Sequence, residues 1–159
     1  MDYTTMSVSE IFCLLDGEVF PAGSSPCCVF LWGIDQYLHQ GEDEMQRRGF
    51  RRHARFVWDK CNGVAPAFTV RFAHEYLTWF YKPTLLPIDR CMRGRLTTVF
   101  REPARQHSRK PDCVYQAIAA LYPDVVLVDV FSREWRTGWS QWGDQVGQFR
   151  ADPIEGGRA

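Results

Sequence analysis

Residues 125–131, Val-Val-Leu-Val-Asp-Val-Phe, constrain the fold more than any other stretch. The run is short for a helix and rich in β-branched residues, which favour a pleated strand. Apolar on both faces, it predicts a strand inside a sheet with helices above and below it. The rest of the chain alternates to match. Ser7-Val8-Ser9-Glu10 has capping-box spacing, and Val8, Ile11, Phe12 and Leu15 then share one helical face, so a short helix should end near Gly17. Pro21 to Pro26 reads as a turn-rich connection. Cys27 to Trp32 is a continuous apolar run and predicts a buried strand. Asp35 to Arg48 predicts a helix capped by Gly49, although Gly41 weakens that expectation. Phe50 to Trp58 and His74 to Tyr81 predict two further strands. Pro111 and Asp112 suit a helix start, Val114, Ala117, Ile118 and Leu121 form its apolar stripe, and Tyr122-Pro123-Asp124 ends it. Alternating helices and strands imply an α/β domain with a mostly parallel sheet, whose ligands sit beyond the carboxyl ends of the strands. The residues after Asp129 are the first place to look for a site.

Lys82 to Lys110 breaks the rhythm. It carries eight Lys and Arg (Lys82, Arg90, Arg93, Arg95, Arg101, Arg105, Arg109, Lys110) against two acids, Asp89 and Glu102, with three prolines and little periodicity. The expected organisation is one domain over residues 1–150, with this irregular basic insert at 82–110 and a frayed tail at 151–159. Lys+Arg and Asp+Glu both count 19, so attraction to nucleic acid must come from local patches of this kind. A solvated loop explains the insert equally well. The six cysteines (Cys13, Cys27, Cys28, Cys61, Cys91, Cys113) show no pair at zinc-knuckle spacing, and residues 1–10 do not resemble a secretory signal. They read as reduced thiols of a cytoplasmic protein, with no metal and no membrane span. His74-Glu75 begins the zinc-protease pattern, but Thr78 stands where the second His belongs.

Specific resemblance enters with the order of short motifs around residues 125–131. Ser108, Lys110, Pro111 and Asp112 precede the helix. Asp129, Phe131 and Arg133 end the strand. Gly138, Trp139, Gly143 and Asp144 follow. This set resembles the adenine-N6 methyltransferases, the family of bacterial and phage DNA adenine methyltransferases and of the catalytic subunit of the eukaryotic messenger-RNA adenosine methyltransferase. That family shows Ser-x-Lys-Pro-Asp, then acid-x-Phe-x-Arg, then Gly-Trp-x-x-x-Gly-Asn; Asp144 departs from the final Asn and loses an amide donor. Tyr3-Thr4-Thr5-Met6-Ser7, Phe30-Leu31-Trp32, Phe56-Val57-Trp58-Asp59-Lys60 and His74-Glu75-Tyr76-Leu77 resemble further family segments in the expected order.

The resemblance implies a Rossmann-like class I methyltransferase fold with permuted motif order and S-adenosylmethionine as cofactor. Lys110 would face the cofactor carboxylate and Asp129 its ammonium. Phe131 would pack on an apolar part of it, and Ser132, Arg133, Asp144 and Gln145 would meet its polar groups. Lys60, His74, Arg93, Arg95 and Arg109 would contact the nucleic acid, with DNA ahead of RNA and the choice between them left open. Taken singly, Asp129 reads as readily as an ordinary strand-end acid, Lys110 as a solvated lysine, and Phe131 and Trp139 as core.

One family element is missing. The Asp-Pro-Pro-Trp tetrapeptide, which orients the target amino group, does not occur, so no catalytic residue is assigned. Asp152-Pro153-Ile154 lacks the second proline and the aromatic residue. The resemblance places that tetrapeptide at the end of a central strand, so the sheet is expected to lack one central strand and to expose two edges. Three explanations stay open: a start further upstream, a strand supplied by a partner chain or a second copy, and a degenerate remnant serving as a non-catalytic nucleic-acid-binding or scaffolding subunit. Truncation of a real or ancestral enzyme is the favoured one.

Overall fold

A computed structural model describes residues 5–20, 26–63 and 69–149. Helix α1 (Val8–Glu18) starts at a complete capping box: Ser7 Oγ accepts from the Glu10 N–H, and the Glu10 carboxylate accepts from the Ser7 N–H at 2.7 Å. Strand β1 (Cys27–Gly33) follows, then a 3-10 turn (Asp35–Tyr37) leading into α2 (Leu38–Arg47). Strands β2 (Arg51–Asp59) and β3 (His74–Lys82), a short β4 (Val99–Arg101), helix α3 (Asp112–Leu121), and strands β5 (Leu127–Val130) and β6 (Trp139–Trp142) complete the order. The Asp152-Pro153-Ile154 tripeptide and the tail expected to fray lie outside the described residues, as do most of the Pro21–Pro26 turn and Tyr3-Thr4.

Helices cover both faces of a central sheet. Phe30, Leu77, Trp79 and Phe56 face α3 and pack with Val114, Ile118, Leu121 and Tyr122. The alternate side chains Val29, Leu31 and Phe80 face α1 and α2 and pack with Phe12, Leu15 and Met45. Gly41 is where α2 comes down on β1: a Cβ there would lie 3.3 Å from Leu31 Cδ2.

The sheet order is β1-β3-β2-β4. It is mixed rather than mostly parallel: β3 runs antiparallel to both β1 and β2, and only β4 joins in parallel. The expectation failed because apolar patterning reports burial and carries no strand direction. Strands β5 and β6 form a separate parallel pair. Strand β5 is also less buried than its composition implies. Its α3 side is covered, with Leu127 packed against the cluster around Leu77 and Val114. On the other face only Val130 reaches a core cluster, while Val126 is 82 % exposed and Val128 about half exposed. Among the described residues β5 pairs only with β6, and β1 only with β3.

The 82–110 stretch is largely irregular but anchored. Leu85, Leu86, Ile88, Met92, Leu96 and Phe100 pack against the α3-side core, and the Asp89 N–H donates to the Leu121 carbonyl. Among the described residues no helix is long and apolar enough to cross a membrane.

Candidate functional site

The carboxyl ends of β1, β2 and β4, the start of β3 and the N-terminus of α3 converge, because β3 is antiparallel to its neighbours. Glu75 sits in this corner. It lies on the buried face of β3, in period-two register with Leu77 and Trp79, so its charge requires partners. Lys60 Nζ meets one carboxylate oxygen at 2.8 Å and Lys110 Nζ the other at 2.5 Å. Burial pushes the Glu75 carboxyl up, but the charges and hydrogen bonds of Lys110 and Lys60 outweigh it and hold it below the ordinary range. The two ammonium groups lie over Trp32 and Trp58, whose rings meet edge to face at 6.0 Å. Trp58 Nε1 donates to the Glu102 carbonyl at 2.8 Å. The Glu102 carboxylate accepts the first N–H groups of α3, from Asp112 and Cys113, both at 2.9 Å. A carboxylate thus caps a helix that starts without a side-chain cap of its own. His74 adjoins this corner, its Nε2 3.0 Å from the Tyr76 hydroxyl.

A second charged cluster lies across the first turn of α3. Asp129 accepts from the Tyr115 hydroxyl at 3.3 Å and from Arg136 Nη1 at 3.2 Å. Burial raises the Asp129 carboxyl, and Ser132, Arg136 and Tyr115 offset this only in part. Glu134 is buried and binds both Arg136, at 2.8 Å, and Arg109. Asp112 joins Arg105 at 2.7 Å and Arg136 at 3.5 Å.

Beyond Asp129 the chain turns sharply. Phe131 is left-handed at φ 57°, a strained conformation for an aromatic residue, and its ring stands edge-on to Trp142 at 5.5 Å. The Ser132 N–H donates to the Trp142 carbonyl, and Ser132 Oγ to the Glu134 carbonyl. Gly143, at φ 146°, lies so close that a Cβ would come within 3.1 Å of Phe131 Cα. Asp144 is exposed and Gln145 half-buried in the turn after β6.

The structure therefore brings Lys60, His74 and Lys110 together at one corner, and Arg109, Asp129, Phe131 and Ser132 beside it. Lys110 and Asp129 both adjoin the start of α3. Arg133 follows in the same turn, its carbonyl accepting from Phe149. Arg93 and Arg95 are not brought there. They follow the 3-10 turn Arg90–Met92, tied through Asp89 to the far end of α3. Glu75, Glu134 and Arg136 were given no role in the site from the sequence. Among the described residues no group of three or more His, Cys, Asp or Glu is placed to hold a metal ion. All six cysteines are free thiols, and burial beside Glu102 pushes that of Cys113 up to about 11.

The order of these groups along the chain is the one that resembles the adenine methyltransferases, and the structure keeps Lys110 and Asp129 at the same end of α3. Comparison with known proteins sharpens this: the chain belongs to the MT-A70 family, whose model matches residues 1–145. It is 25% identical over 158 residues to the Type II methyltransferase M.MunI of Mycoplasma sp, covering 97% of this chain and 64% of that protein. It is also 25% identical over 155 residues to a putative N(6)-adenosine-methyltransferase MT-A70-like protein of Medicago truncatula, covering 94% of this chain and 25% of that one. An Arabidopsis thaliana N(6)-adenosine-methyltransferase MT-A70-like protein is 23% identical over 155 residues, 94% of this chain and 22% of its own length. The chain thus spans less than two thirds of the relatives it matches.

Proposed function

We propose that this chain forms the cofactor-binding part of an S-adenosylmethionine-dependent adenine-N6 methyltransferase of Rossmann-like fold, acting on nucleic acid, with DNA ahead of RNA. The carrying observation is that Lys110 and Asp129, a cation and an acid from separate motifs, flank the first turn of α3. The donor set suits a zwitterionic nucleoside. Lys110 meets a carboxylate with the N–H donors that Glu75 leaves free, at the positive end of a helix. Asp129 meets an ammonium, and the half-exposed Phe131 ring offers an apolar surface. Ser132, Arg133, Asp144 and Gln145 supply polar contacts. When bound, S-adenosylmethionine supplies an electrophilic methyl group. Lys60 and His74 at this corner, and Arg109 beside it, would contact the nucleic acid; Arg93 and Arg95, at the far end of α3, would serve only as distant phosphate contacts.

The groups that orient the target amine are absent from these 159 residues. In this reading they come from a further segment or a partner chain, laid as a strand between β1 and β5. The support is that both edges are unpaired among the described residues, and that both strands feed the same two cores. Titration calorimetry with S-adenosylmethionine tests the proposal: saturable binding is expected, weakened at least tenfold by Lys110→Ala or Asp129→Ala. No heat with S-adenosylmethionine, together with retained oligonucleotide binding, supports the second reading, a non-catalytic nucleic-acid-binding subunit, which the missing tetrapeptide favours.

A further inference from the structure

Arg136 has no place in the motif order, yet its side chain touches four others around β5 and the start of α3: Tyr115, Asp129, Glu134 and Asp112. Its Cζ lies 3.6 Å from the centre of the Tyr115 ring. Nη1 donates to Asp129 Oδ2 at 3.2 Å, and Nη2 to Glu134 Oε2 at 2.8 Å, with Asp112 Oδ1 at 3.5 Å. Its carbonyl accepts from the Trp139 N–H at 3.2 Å and from Gln141 Nε2 at 3.0 Å, so the backbone at this point is fixed by β6. Gln141 is in turn the strand partner of Asp129. A planar guanidinium stacked on one face and forked between two carboxylates has little freedom to rotate.

We propose that Arg136 is the positioning residue of the cofactor site, setting the direction in which the Asp129 carboxylate points. Among the described residues Asp129 is otherwise held by the Tyr115 hydroxyl and by Ser132. A carboxylate held by neutral hydroxyls alone can rotate about its last bond; the charged Nη1 contact, from a guanidinium fixed by Tyr115 and Glu134, removes that freedom and leaves the outer lone pairs for an ammonium. Arg109 supports the arrangement from behind by neutralising the second oxygen of Glu134, so that Glu134 does not repel Asp129. Asp129 is thus faced by Tyr115 from α3, by Ser132, Glu134 and Arg136 from the turn, and through them by Asp112 and Arg109. The role rests on the cofactor reading of Asp129, but the contact does not.

The test therefore has two readouts. In the first, the Asp129 carboxyl carbon is followed by NMR against pH in the wild type, Arg136→Met and Arg136→Lys, without cofactor. Asp129 should protonate at higher pH in Arg136→Met, because burial is then less opposed, with Arg136→Lys between the two. Superimposable titrations would overturn the proposal. In the second, S-adenosylmethionine affinity is measured from pH 5 to pH 8. Arg136→Met should lose roughly 10- to 30-fold near pH 6 and recover part of that by pH 8. A uniform loss at every pH marks a merely structural role and refutes positioning. If the wild type fails to bind while the NMR shift is seen, the cofactor reading falls and the Arg136–Asp129 contact stands. If Arg136→Met does not fold, Arg136→Lys, which keeps the charge and loses the fork, carries both readouts.

Discussion

Replacing Glu75 by Gln removes the one carboxylate shared by Lys60 and Lys110 and leaves two ammonium groups facing each other at the end of the sheet. The side chains are 12%, 20% and 25% exposed for Glu75, Lys60 and Lys110. A fully buried pair broken on one side costs about 3–5 kcal/mol, and an exposed pair less than about 1 kcal/mol. Both lysines have flexible stems that reach water, so the expected loss is ~2 kcal/mol, which lowers Tm by ~4–8 °C in a domain of this size. The pH dependence follows from the direction of the Glu75 shift. Its carboxyl is depressed below the ordinary 4.5 in the folded chain. Its contribution is therefore complete above that value and lost as pH falls through the lower folded one. Thermal melts followed by circular dichroism should separate wild type and Glu75→Gln at pH 7 and bring them together toward pH 3. Adding Lys60→Met to Glu75→Gln should restore part of the loss by removing the repulsion. Coincident melts at pH 7, or a gap undiminished at pH 3, would refute the view that Glu75 holds this corner by charge.

Other substitutions probe separate links of the structure. Ser7→Ala removes the reciprocal cap of α1 and should cost about 1 kcal/mol, read as a lower urea midpoint with unchanged slope. Gly143→Ala sets a Cβ against the Phe131 backbone at 3.1 Å, where no side chain can yield. It should destabilise by more than ~2 kcal/mol and shift the amide resonances of Phe131 and Ser132. Leu77→Ala opens a void in the cluster it shares with Phe56, Trp79, Val114 and Ile118 and should cost ~2–5 kcal/mol in chemical denaturation.

Much of the architecture was legible because local chemistry and global fold agree. The capping box sets the start of α1, period-two runs mark β2 and β3, and the stripe Val114-Ala117-Ile118-Leu121 is the buried face of α3. What failed was what a linear pattern cannot encode. The valines of 125–128 look buried on both faces, yet composition alone does not say whether a covering element is at hand. Gly41 looked like a defect in a helix and is a point of close approach to β1. In the site, Lys60, Lys110 and Asp129 were reached through motif order, but their partners were not. Glu75 did leave a signal, an acid on the apolar face of a strand, which must be paired. Glu102 and Arg136 left none, since a cap supplied from the loop after β4 and a guanidinium stacked across a turn exist only in three dimensions. Arg93 and Arg95 carried the right charge, and only the anchoring of Asp89 to Leu121 shows which end of α3 they occupy.

The unshared rims of β1 and β5 have a practical consequence. Each offers a row of backbone donors and acceptors, and such a row can pair antiparallel with the same rim of a second copy about a two-fold axis. Contacts of that kind close on themselves and stop at two copies. In concentrated solution the chain should pair with itself, and light scattering whose apparent mass rises toward twice that of one copy and levels off there would report it.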